Sequence, residues 1–265
     1  MEWKYSKEDQ EIVFLIKTMN KKHLKQTVEN GTFCFNFPSV FNSSPNLSVA
    51  QYDQWDSHLS YEAIGLRFAP IVSKDENGIH YGTPVEIADE AKVHSISSTS
   101  KQTPLCSFRK VEKTDLMQRG ETTLFRLGNV VDRIKNEFGH DAFILVHHPH
   151  VLIKRISAVS PCFARSIHYG KIDGNFQAFL DEHDFEQKEM FQKSEEYAWQ
   201  KEFRVIITPR DASGPQIIEI GSIEDIAVGG DIELLRQGYI IAETEEQLKK
   251  AIENRILNGD AYDQL

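Results

Sequence analysis

Lys193-Ser-Glu-Glu-Tyr-Ala-Trp-Gln-Lys-Glu-Phe-Arg-Val-Ile-Ile-Thr208 is a charged, aromatic lead-in running into a short apolar segment. The run from Phe203 to Thr208 predicts a strand, in which successive side chains point to opposite faces. Phe203, Val205 and Ile207 then share a core face, and Gln200, Glu202 and Arg204 share the other. An amide, a carboxylate and a guanidinium in a row are costly to bury without partners. The row is either a solvated face with a Glu202–Arg204 pair or the wall of a site.

Working outward, 265 residues with 40% hydrophobic content and 16 Phe suit one large domain carrying an insertion. The net charge of −10 disfavours nonspecific nucleic-acid binding. The basic clusters Lys17 to Lys25, Arg109 to Lys113 and Lys154-Arg155 read as solvated patches. Cys34, Cys106 and Cys162 are odd in number and widely spaced, which argues against a disulfide framework or a structural zinc site. His147-His148-Pro149-His150 has no carboxylate partner set by spacing, and no metal site is expected. The charged start has no signal-peptide core, and no apolar run approaches the roughly 20 residues of a membrane span. A soluble, cytoplasmic protein is expected.

Ile12 to Ile16 reads as a buried strand. Asn20 is a plausible N-cap for a helix over Lys21 to Glu29, with His23, Leu24 and Val28 inward and Asn30-Gly31 as its stop. Thr32 to Phe37 alternates as a strand broken by Pro38. From about residue 43 to 92 the chain reads as an insertion. It holds a hairpin of Leu66 to Ser73 with Ile79 to Tyr81, turning at Asn77-Gly78. Lys92 to Ser98 reads as a strand, Thr122 to Glu137 as a helix and Asp141 to Val146 as a buried strand. Asn175 to Lys188 has helical character. Strands around Gln216 to Ile220 and Gly238 to Ala242 precede a closing amphipathic helix, Glu243 to Ile256. The pattern is α+β with a mixed or antiparallel sheet.

Two further signals accompany Gln200 and Glu202. Ser95-Ile-Ser-Ser-Thr-Ser100 is a hydroxyl-rich strand end able to bind a ribose or an amide. Lys17-Thr18-Met19 ends the first strand just before a helix start, which favours anions. A polar strand end, then Ser-Thr-Ser, then Gln-x-Glu resembles the ADP-ribosyltransferase superfamily. Its motifs match Ser98-Thr99-Ser100 and Gln200-Lys201-Glu202. The superfamily's first motif carries Arg or His. Here Lys17 and Thr18 stand nearest, with His23 and Arg67 as substitutes.

The chain also resembles an uncharacterised bacterial and phage domain-of-unknown-function family. That family has an F-N-D-P turn, a Ser-rich strand, and a Lys followed by Trp-x-x-Glu-x-Arg. The matching positions are Phe41-Asn42-Ser43-Ser44, Ser97-Ser98, Lys193, and Trp199 to Arg204; the Asp and Pro of the turn are absent. These resemblances imply an ADP-ribosyltransferase-like split α+β core using NAD as substrate. They imply a toxin, antiphage or toxin–antitoxin setting, with a protein or nucleic-acid acceptor and an antitoxin partner. Glu202 would stabilise the ribosyl cation and Gln200 would face the acceptor. Ser98, Thr99 and Ser100 would shape the nicotinamide side. Lys17, Thr18 or Arg204 would meet the cofactor, with Arg204 equally able to orient Glu202. The alternatives are an NAD glycohydrolase and a noncatalytic binding module.

Overall fold

A computed structural model describes residues 8–43, 57–76, 78–95, 98–119, 122–170, 188–209 and 214–241, together with 246 and 249. Six strands form its principal sheet: β1 (Ile12–Met19), β2 (Leu105–Glu112), β3 (Ala142–Val146), β4 (Cys162–Ser166), β5 (Glu202–Ile207) and β6 (Ala227–Asp231). Their order is β4-β5-β2-β1-β3-β6, with every neighbouring pair antiparallel. The fold is thus mixed α+β on a mostly antiparallel sheet.

Alternation along the strands builds two hydrophobic layers. Leu15, Phe108, Ile144, Phe203 and Val205 join one core, closed by α3 (Pro149–Val159) through Leu152, Ile153 and Ile156. Leu24 and Val28 of α1 (Lys21–Asn30) pack on the same layer. Ile16, Val111, Phe143 and Leu145 face the other way, under Val131 and Ile134 of α2 (Val130–Phe138). Burial of each such side chain contributes about 1.5–3 kcal/mol. β3 has five apolar residues in a row and is buried throughout, as a strand covered on both faces requires.

The strand, helix and glycine stop of the opening unit form as the sequence predicts, but the Asn20 side chain makes no capping hydrogen bond, and Asp141 Oδ1 accepts from the Lys21 N–H at 2.6 Å. α1 follows β1 after Asn20 and stops at Gly31, whose φ of 60° is left-handed. Space demands glycine there as well, because a Cβ would lie 2.2 Å from the Gly221 carbonyl oxygen. Leu24 and Val28 face inward, whereas His23 is exposed.

Several expectations are corrected. Thr122–Glu137 is not one helix: Thr122–Phe125 is a strand paired with Tyr239–Ile241, and α2 begins only at Val130. The strand ahead of the serines ends at Ser95, and Ser98–Lys101 is a helical turn rather than a strand end. The hairpin pairs Ile71–Asp75 with Gly78–Tyr81, while Leu59–Phe68 pairs instead with Val85–Ser95. All six residues of β5 are buried, so Glu202 and Arg204 do not form a solvated face. Gln200 is not on that strand: it ends a 3-10 helix, Glu195–Gln200, and Lys201 turns the chain at φ 45°. The helices read over Asn175 to Lys188 and Glu243 to Ile256 lie largely outside the described residues.

Candidate functional site

The sheet opens at one end. β1 and β2 pair from Ile12–Glu112 to Ile16–Arg109, and the register would next bring Lys17 opposite Phe108. The ladder stops before that pair. β1 runs on against β3, while Leu105 of β2 exchanges backbone hydrogen bonds with Asn36 instead. Lys17 spans the opening, donating from Nζ to the Ser107 carbonyl oxygen at 3.0 Å. An ammonium thus meets a carbonyl where the sheet ladder ends.

A cavity of about 440 Å³ occupies this opening. Lys17, Thr18, Ser107, Arg109, Gln200 and Glu202 line it, with Trp199, Phe138 and His140 supplying aromatic surface. Its volume falls in the range of small-molecule and cofactor sites.

Glu202 is the most heavily engaged group. It starts β5, is 4% exposed, and stands in register with Arg109 of β2. Its Oε1 accepts from Ser107 Oγ at 2.5 Å and from Arg204 Nε at 2.8 Å. Its Oε2 accepts from Lys193 Nζ at 3.1 Å. Its backbone N–H donates to the Tyr169 hydroxyl at 2.7 Å. Burial and the nearby Glu202 charge push the Tyr169 phenol well above its ordinary pKa.

Lys193 ties the signature together. Its ammonium also donates to Gln200 Oε1 at 3.0 Å and lies 5.1 Å from the centre of the Tyr197 ring. Lysine has only donors, so the Gln200 oxygen must be the atom turned toward it. Gln200 and Glu202 therefore meet through Lys193 despite the turn at Lys201, not by sharing a strand face.

Arg204 is fully buried beneath this cluster, donating to Glu202, to Ser57 Oγ at 3.0 Å and to the Met190 carbonyl at 2.6 Å. It is not among the cavity-lining residues, so its geometry is that of a group orienting Glu202. Ser100 is buried and does not line the cavity either, and the side chains of Ser98 and Thr99 lie outside the described residues. The hydroxyl beside Glu202 belongs to Ser107.

The opposite wall holds Thr18 and His140, with Thr18 Oγ1 and His140 Nδ1 2.8 Å apart. Burial, and secondarily the Lys17 charge, pull the His140 pKa down to about 4 against the pull of Asp141, so the ring is neutral at pH 7. The imidazole stacks on Phe138 at 5.7 Å, and Phe138 packs against Trp199 at 5.9 Å. Burial, countered by Lys17, raises the Cys106 thiol, which keeps it protonated and a poor nucleophile.

Sequence reasoning missed Ser107, Arg109 and His140 and gave Lys193 no role. Ser107 and Arg109 alternate with Cys106 and Phe108 on β2, so a polar residue at every second position was their available signal. No protein-family model, no curated protein and no solved structure matches the chain.

Proposed function

We propose that the cavity binds NAD and that the protein transfers ADP-ribose from it to a macromolecular acceptor. The supporting observation is convergence: Lys17, Thr18, Gln200 and Glu202 line one cavity of cofactor size. In this reading the bond between nicotinamide nitrogen and ribose C1′ breaks, and its electron pair leaves with nicotinamide. Glu202 stabilises the positive charge developing on the ribosyl group. An acceptor lone pair then bonds to C1′ and the acceptor loses its proton. Gln200 faces the acceptor, and water in that place gives hydrolysis instead. A toxin or antiphage setting is what the resemblance implies for this activity.

A second reading is favoured by Glu202 itself. Its carboxylate already receives Ser107, Lys193 and Arg204, as expected of a structural hub in a noncatalytic ligand-binding module. Incubation with NAD labelled in the adenylate moiety and with cell lysate separates the two. Transfer predicts free nicotinamide and label in one of the protein, RNA or DNA fractions. Hydrolysis predicts nicotinamide with no labelled macromolecule. Binding of ADP-ribose without nicotinamide release would replace the enzyme reading with the module.

A further inference from the structure

We infer that Arg109 is an anion anchor of this cavity and that, with Lys17, it receives the two phosphate groups of a nucleotide pyrophosphate. The inference rests on the reading of the cavity as a nucleotide site and adds a residue and a charge requirement to it.

A guanidinium carries five N–H donors. Arg109 uses NH1 on the Trp199 carbonyl at 2.5 Å, and no carboxylate lies within ion-pair distance of it among the described residues. The neighbouring acids are engaged elsewhere. Asp115 pairs with Lys201, and Glu202 is held by Lys193 and Arg204. Burial lowers the Arg109 pKa, with Asp115 opposing, yet a guanidinium remains charged at any physiological pH. A cation desolvated without a counter-ion is costly unless an anion completes it.

Lys17 is in a similar position. Its ammonium donates to the Ser107 carbonyl and lies 5.5 Å from the centre of the Phe108 ring, again with no carboxylate in ion-pair range among the described residues. Lys17 and Arg109 border the sheet opening from β1 and β2. Three cations, Lys17, Arg109 and Lys193, therefore line the cavity against one carboxylate, Glu202, in a chain of net charge −10. With Glu202 already matched, two positive charges remain, equal to the charge of a pyrophosphate diester. Trp199 links this charge to a ring surface, because the residue whose carbonyl holds Arg109 also lines the cavity.

Equilibrium titration of the wild-type protein with ADP-ribose, ADP and adenosine, at low and high salt, tests this without requiring turnover. ADP-ribose and ADP should bind about tenfold or more tighter than adenosine, and added salt should shrink that margin. Arg109→Met should remove most of the margin and Arg109→Lys only part. Equal wild-type affinity for ADP and adenosine, or no binding of either, would overturn the inference whether or not the Arg109 variants fold. Tight ADP-ribose binding without NAD cleavage would sustain it while rejecting the transferase reading.

Discussion

Lys17 Nζ reaches the Ser107 carbonyl oxygen at 3.0 Å across the point where the pairing of β1 with β2 ends. One side chain thus closes the sheet opening and charges the cavity within it. Lys17→Met keeps the apolar stem but removes the donor. Unfolding in urea should show a loss of about 1.5 kcal/mol, the low end for a charged hydrogen bond, at this half-buried site. Unchanged stability would mean that the bond closes nothing.

Glu202→Gln should be strongly destabilising. It leaves Lys193 and Arg204, both buried, without their shared carboxylate. Breaking one side of a buried ion pair costs about 3–5 kcal/mol. Glu202→Asp keeps the charge and should cost less. Thermal melting of the two variants beside wild type checks this; a wild-type melting temperature for Glu202→Gln would show that the cluster is not electrostatically closed.

His140 sets an acid limb. Its folded pKa of about 4 lies below the ordinary 6.5, so below pH 6.5 the unfolded chain binds the proton more readily. The stability from its neutral ring is complete above pH 6.5 and drains away as pH falls through 4. Titration of the His140 ring by NMR should give a midpoint near 4. A midpoint near 6.5 would place the ring in water.

Gly31→Ala should cost more than the ~1–2 kcal/mol of a left-handed alanine, because its Cβ would also meet the Gly221 carbonyl oxygen at 2.2 Å. A urea midpoint within error of wild type would contradict the packing of α1 against the Gly221 turn.

Local signals carried the parts of the fold that read correctly. β1, α1, its Gly31 stop and β3 each have periodicity or turn chemistry within a dozen residues. Thr122–Phe125 read as helix because Leu124 and Leu127 extend the spacing of α2, whereas the chain pairs it on one side with Met117–Arg119 and on the other with the distant Tyr239–Ile241. The turn at Lys201 had no signal, since lysine seldom adopts positive φ. In the site, Lys17, Thr18 and Glu202 were legible as polar residues at strand ends, whereas Gln200 was read on a strand face that it does not occupy. Ser107 and Arg109 were not legible, because their meaning depends on β5 pairing with β2 rather than on their own neighbours. Arg109 sits in a run of basic residues that reads as solvated, and the sheet turns it instead toward the cavity.

Nicotinamide release from NAD by wild type and by Glu202→Asp, both confirmed folded by thermal melting, tests the central claim most directly. Shortening the side chain keeps a counter-ion for Lys193 and Arg204 but withdraws the carboxylate from the cavity. The account predicts release by wild type and a loss of at least tenfold in the variant, the cost of about 1.4 kcal/mol in the transition state. Equal release by both proteins, or none from a wild type that binds ADP-ribose, would contradict it.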